Sequence, residues 1–203
     1  MKRALPVALL IVAVLLGLQA CGQNPLLRSV SADFAPIRVG SQWSYRTASG
    51  GSFTRLVASA GPAQGRQAFT VLESTDGNPP VTQLWSFQSG ELDQYDAVNG
   101  WLLLRKLPYV TGNKWPLFST DPLVTYLEEV EGFDTITVPA GKFDACYRVK
   151  TTISTYDPLA DVTSTTQSLV WAAPNIGDVQ TASVDVSGTQ TVNLQLSSFR
   201  IPQ

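Results

Sequence analysis

Val179-Gln180-Thr181-Ala182-Ser183-Val184-Asp185-Val186-Ser187-Gly188-Thr189-Gln190-Thr191-Val192-Asn193-Leu194-Gln195-Leu196-Ser197-Ser198-Phe199 carries the clearest strand signal in the chain. From Thr191 to Phe199, Val192, Leu194 and Leu196 fall on one face, and Asn193, Gln195 and Ser197 on the other. Ala182, Val184 and Val186 match them in Val179 to Ser187, across the turn at Ser187-Gly188-Thr189. A period of two on both sides of a Gly-containing turn marks an antiparallel hairpin with one buried face.

Towards the amino terminus the same alternation recurs between clusters of Gly, Pro, Asn and Asp. Gln42 to Thr47 and Ser52 to Ala58 flank Ser49-Gly50-Gly51. Arg66 to Glu73, Val81 to Phe87, Glu91 to Tyr95 and Trp101 to Arg105 follow, then Leu123 to Val130, Thr135 to Val138, Ala145 to Thr155 and Val162 to Trp171. No stretch after Cys21 offers a three-turn amphipathic helix. The nearest, Val124 to Glu131, is short and contains β-branched residues. The connections are too short for parallel crossovers. The expected fold is therefore all-β: an antiparallel meander of roughly a dozen short strands forming a curled sheet, sandwich or open barrel. Val162 to Ser168 has β propensity but almost no apolar face, which predicts a solvated edge strand, with a wet cavity wall as the alternative.

Composition removes whole classes of chemistry. The 203 residues hold two Cys and no His. Without imidazole there is no Ser-His-Asp or Cys-His nucleophile and no His-ligated metal, and two Cys cannot make a four-thiolate site. No metal or cofactor is expected. Fourteen Lys plus Arg against sixteen Asp plus Glu give a net charge of −2, which argues against nucleic acid as a partner.

The first twenty residues read as an address. Met1-Lys2-Arg3 is followed by an apolar run from Ala4 to Leu18, shorter than the roughly 20 residues of a membrane-spanning helix. Ordinary signal cleavage wants small residues one and three positions before the cut, and Leu18 is the wrong size. Leu18-Gln19-Ala20-Cys21 instead resembles the lipobox of bacterial lipoproteins. The resemblance implies cleavage before Cys21, a thioether diacylglycerol on its sulfur and a further acyl chain on its new amino terminus. The alternative is an incidental Cys beside a plain export signal or an uncleaved anchor. Gly22, rather than Asp, follows the Cys, so transfer to an outer membrane is permitted if the host has one; otherwise the outer face of the cell membrane is expected. Residues 22–33 read as a tether spanning about 20 Å as a flexible coil, and residues 34–203 as one β-domain. With Cys21 lipidated, Cys146 has no disulfide partner in the chain.

The tetrad Gly-x-x-Trp occurs as Gly40-Ser41-Gln42-Trp43 and Gly112-Asn113-Lys114-Trp115, which suggests two related halves. Val138-Pro139-Ala140-Gly141-Lys142-Phe143-Asp144-Ala145-Cys146 and Trp171-Ala172-Ala173-Pro174-Asn175-Ile176-Gly177-Asp178-Val179 come later. In this order the set resembles a group of uncharacterised secreted or lipid-anchored bacterial proteins that share a G-x-x-W-x-Y start, a V-P-A-G-x-F-x-x-C hairpin and a W-x-A-P-x-[IV]-G-x-V segment. The resemblance implies an all-β domain and no assigned activity.

Candidate sites are sparse. Glu128, Glu129, Glu131 and Asp134 could supply a glycosidase pair or Ca²⁺ ligands, but alternation splits Glu128 from Glu129 and Glu131, and a solvated strand is expected. Asp157-Pro158-Leu159-Ala160-Asp161 reads as a turn. Cys146, without His or a helix end nearby, reads as a buried structural thiol. Trp43, Trp85, Trp101, Trp115 and Trp171 could supply stacking surfaces for a sugar or an apolar ligand, but as a set they read as core; Trp101, after the Asn99-Gly100 turn, is the weak candidate for an exposed ligand-stacking surface. The expectation is a non-enzymatic, lipid-anchored envelope protein with a binding or scaffolding β-domain. Its candidate partners are the membrane through the anchor, and an envelope protein, a lipid or a glycan. The alternatives are an apolar-ligand or lipid binder using the concavity of the sheet, and a carboxylate-based envelope glycan hydrolase.

Overall fold

The computed structural model describes residues 36–202. The signal, Cys21 and the tether lie outside the described residues. Twelve strands make one antiparallel sheet: β1 (Gln42–Thr47), β2 (Ser52–Ala63), β3 (Arg66–Thr75), β4 (Val81–Gln88), β5 (Glu91–Asp96), β6 (Gly100–Lys106), β7 (Lys114–Leu117), β8 (Val124–Val138), β9 (Gly141–Asp157), β10 (Val162–Ala173), β11 (Gly177–Val184) and β12 (Gln190–Arg200). Their order is β6-β5-β4-β3-β2-β1-β12-β11-β10-β9-β8-β7. Two six-stranded meanders thus join where β1 meets β12, and the sheet curls until its ends, β6 and β7, come close without pairing. The all-β meander read from the sequence is what forms, as a nearly closed barrel.

The hairpin around Gly188 becomes β11 and β12, with Ala182 opposite Val192 and Thr181 opposite Leu194. Elsewhere the strands run longer than their apolar patterns. Leu123 to Val130 and Thr135 to Val138 fuse into β8, because bulges opposite β9 at Val130/Gly132 and Asp134/Ile136 absorb the break in alternation. β7 holds Pro116, and it sits at the sheet edge, where a missing N–H costs no ladder bond. Val162 to Ser168 requires a correction. β10 is interior to the sheet and is an edge only over residues 162–166, which pair with β9 but lie beyond the reach of β11. Those five residues are exposed, whereas Leu169 to Ala173 are buried.

The two Gly-x-x-Trp tetrads build the same corner. Gly40 N–H donates to Val57 O (2.8 Å), Val57 N–H to Ser41 O (2.9 Å) and Ser41 N–H to Arg38 O (2.8 Å). Gly112 N–H donates to Val130 O (2.8 Å), Val130 N–H to Asn113 O (3.0 Å) and Asn113 N–H to Val110 O (2.9 Å). Both glycines hold positive φ, +88° and +89°, which a side chain would strain. Each corner opens the first strand of a meander and turns its Trp inward, Trp43 into the main core and Trp115 into a smaller one with Leu107, Tyr109, Val130 and Val149. Trp43 is paired across the ladder with Arg55, and Trp115 with Glu128. Equivalent positions in the two halves therefore carry opposite charges.

Candidate functional site

Residues paired directly across an antiparallel ladder share a face. Trp43 pairs with Arg55 and Arg55 with Glu73; Phe69 pairs with Trp85 and Trp85 with Gln94. A cavity of about 190 Å³ touches Trp43, Arg55, Glu73, Trp85, Arg105 and Asp178, among others. These residues come from six different strands, so the cavity lies within the curl of the sheet.

Its walls combine ring surface with paired charge. Trp43 and Tyr45 have their polar atoms occupied: the indole N–H donates to Ile176 O (2.6 Å) and the phenol O–H to Asp178 O (3.0 Å). Burial, reinforced by the Asp178 charge, pushes the Tyr45 phenol well above its ordinary pKa, so it stays neutral and donating. Arg55 Nε donates to Glu73 Oε1 (2.7 Å), and the guanidinium carbon lies 4.7 Å above the Trp85 ring. Trp85 is 5% exposed, and among the described residues its indole N–H has no hydrogen-bond partner.

The second feature is the seam between β6 and β7. Arg105 on β6 reaches Glu128 on β8 with Nη1 2.8 Å from Oε1, and Thr151 Oγ1 donates to the same oxygen at 3.2 Å. Glu128 is fully buried. The Trp115 indole lies near enough to favour its ionised form, without a hydrogen bond of regular geometry. Burial drives the Glu128 carboxyl above the usual range against the pull of Arg105. For Arg105, the pull of Glu128, with Tyr109 and Asp178, outweighs burial and keeps it cationic. The loop after β6 seals the seam from the apolar side, with the Tyr109 ring stacked on Trp115 (6.2 Å between centroids) and tilted against Tyr147 (5.3 Å).

The acidic cluster is split as alternation predicts, but it is not solvated throughout, which corrects the reading of Glu128. Glu128 faces inward. On the opposite face, Glu129 meets Lys114 (3.1 Å) and Lys150 (3.4 Å), Glu131 meets Arg148 (3.0 Å) and Lys150 (2.6 Å), and Asp134 meets Arg148 (3.0 Å) and the Trp171 indole N–H (2.7 Å). Asp157 to Asp161 forms a hairpin turn in which Asp157 Oδ1 accepts from the Leu159 and Ala160 N–H groups. Cys146 is buried, and burial pushes its thiol up to about 11. Trp101 stands apart from the cavity, half-buried on the β5–β6 hairpin. Its indole N–H donates to Gln64 O (3.0 Å), the Arg66 guanidinium lies 5.0 Å from its ring, and Tyr95 packs edge-on at 5.4 Å. Arg55, Glu73, Arg105 and Asp178 do not stand out in the sequence. The available signal was a charged residue at an inward position of a strand, such as Arg55 between Phe53 and Val57.

A DUF3108-like family model matches residues 125–196, from β8 into β12. No curated protein matches the chain. A solved structure from Bacteroides fragilis, described as an exported protein with a YmcC-like fold, superposes with a TM-score of 0.55 at 15% identity, covering 83% of this chain and 99% of that one. Another, from Parabacteroides distasonis and described as a lipoprotein, gives 0.53 at 17% identity over the same shares. At these identities the likeness is one of fold.

Proposed function

We propose that the chain is a lipid-anchored extracytoplasmic protein whose barrel binds a small molecule and performs no chemistry on it. The observation that carries this reading is the cavity of about 190 Å³ with aromatic walls and paired charges inside the curl of the sheet. An engineered cavity of about 150 Å³ takes up benzene, so this one is large enough for a small ring. The anchor rests on Leu18-Gln19-Ala20-Cys21, and the solved proteins of the same fold are described as exported or as a lipoprotein. The non-enzymatic reading is supported by the ion pairing of the carboxylates: Glu128 is locked to Arg105 inside, Glu73 to Arg55 at the cavity wall, and Glu129 and Glu131 are ion-paired outside, which leaves Asp178 as a single carboxylate on the cavity outside these pairs. A glycosidase needs two carboxyls facing one bond.

Two measurements test the reading. Native mass spectrometry of the chain released gently from its host should show a bound small molecule, and a clean apo mass after mild and exhaustive extraction alike counts against it. Cys21→Ala should abolish membrane fractionation and remove acyl mass; retention of both would sink the anchor.

A further inference from the structure

The interior of the curl carries one negative charge more than it balances. Arg55 is paired with Glu73, and Arg105 with Glu128. Asp178 also touches the cavity, and among the described residues its carboxylate enters no ion pair and no hydrogen bond. It lies opposite Ala172 across the β10–β11 ladder, and Ala172 is buried in the smaller core with Trp115, Val130 and Val149. Directly paired residues share a face, so the Asp178 side chain is on the inner side of the sheet. Its charge acts on Tyr45, Arg105, Tyr109 and Glu128, which line the cavity or the seam. Asp178 is half-buried, so a ligand that fills the cavity takes the place of its water.

That surplus ranks the ligands. An anion would face Asp178, and could reach Arg55 only in competition with Glu73. An uncharged ring would leave the Asp178 carboxylate desolvated and without a counter-ion, the costly state of a buried charge. A monocation removes both costs, and the walls suit one. Trp43 and Tyr45 have given their polar atoms to Ile176 O and Asp178 O and offer ring surface. The Arg55 guanidinium, 4.7 Å from the Trp85 ring and 5.6 Å from the Phe53 ring, shows that aromatic faces here already hold a cation. Gln94 lines the cavity too; its amide nitrogen donates to Gln83 Oε1 (2.9 Å), and its oxygen is left to accept. The volume, about 190 Å³, exceeds a benzene site of about 150 Å³ by enough for a charged substituent on one ring.

We propose, on the small-molecule reading of the barrel, that its ligand is a small organic ammonium ion, with the charged nitrogen on the Asp178 carboxylate and the apolar body against Trp43 and Tyr45. The test uses the full chain in a non-ionic detergent, with titration calorimetry and saturation-transfer NMR as readouts. The probes share a single ring and differ in charge: benzylammonium, benzyl alcohol, benzoate and the zwitterion phenylglycine. Benzylammonium should bind saturably and roughly tenfold or more tightly than each of the others. Asp178→Asn, which keeps the backbone carbonyl used by Tyr45, should erase that preference, and Asp178→Glu should restore part of it. Should Asp178→Asn fail to fold, the ranking of the probes on the parent decides alone. If benzyl alcohol or benzoate binds as tightly as benzylammonium, the charge assignment is wrong while the small-molecule reading stands. Phenylglycine ahead of benzylammonium would make the ligand a zwitterion that also engages Arg55, and would overturn the monocation. A benzylammonium preference that persists undiminished in Asp178→Asn would place the ion elsewhere and overturn the site. If no probe binds, the ammonium ligand and the small-molecule reading fall together.

Discussion

Replacing Glu128 by Ala would leave the Arg105 guanidinium inside the barrel with no counter-ion. The pair spans the unpaired seam, Arg105 on β6 and Glu128 on β8, with side-chain exposures of 16% and 1%. Breaking a buried pair from one side costs about 3–5 kcal/mol, because the remaining charge stays desolvated. A urea slope of about 2 kcal/mol per molar is ordinary for a domain of this size. The unfolding midpoint of Glu128→Ala should therefore fall by about 2 M relative to the parent. Replacing both members together, Arg105→Met with Glu128→Leu, should recover most of that loss or exceed the parent, since a well-packed apolar pair carries no desolvation penalty. The assay is equilibrium urea unfolding followed by tryptophan fluorescence on the parent, both single variants and the double. A single-variant loss below about 1 kcal/mol would mean that the pair behaves like a surface bridge and that the seam is wet. A double variant as unstable as the sum of the singles would equally refute the reasoning.

The same carboxyl sets a pH dependence. Its folded pKa lies above the unfolded value of about 4.3, so the folded state holds the proton more tightly; its contribution is fully present below the unfolded pKa and is lost as pH rises through the folded one. Melting temperature against pH for the parent minus Glu128→Gln should thus decline as pH rises through that window. Asp96 and Asp185, whose pKa values are lowered by hydrogen bonds with Asn99 and Ser187, slope the other way in both proteins and cancel in the difference. Cys146 should resist thiol reagents at pH 8 in the native chain and titrate as one thiol on unfolding; a second thiol would mean that Cys21 is unlipidated, and rapid native labelling would contradict the burial. Gly90→Ala should cost about 2 kcal/mol or more in urea, since φ is +83° and a Cβ would sit 2.6 Å from the Leu107 carbonyl oxygen. Gly65→Ala, at φ +75° with nothing near, should lose only the backbone strain of about 1 kcal/mol; equal losses would remove the clash from the account.

Much of this fold is legible because hydrophobic alternation and turn residues act locally. Val192, Leu194 and Leu196 announce β12, and Ser49-Gly50-Gly51 announces the β1–β2 hairpin, with no knowledge of the rest. What alternation does not contain is which strand lies beside which, nor where a long strand outruns its neighbour. That is why Val162 to Ser168 reads as an edge when only its first five residues are one. The candidate site is less legible still. Glu128 sits at the same parity as Tyr126 and Val130, which is a signal of inward orientation, but three acids close in sequence suggest solvent. The charge that makes its burial tolerable comes from Arg105, 23 residues away and across the seam. Arg55 and Glu73 pose the same problem: each is ordinary alone, and each becomes informative only once β2 and β3 are aligned so that the two lie opposite one another.

The junction of β1 with β12 joins the first strand of the sheet to the last. β1 finds one of its two ladder partners at once, in β2, but the other is residues 194–200, on the final strand. Loop-closure entropy makes such a contact late in any folding order. A chain threaded through a membrane from its amino terminus would thus be unable to close its sheet until β12 had crossed. Until then the first meander would carry β1 as an unpaired edge.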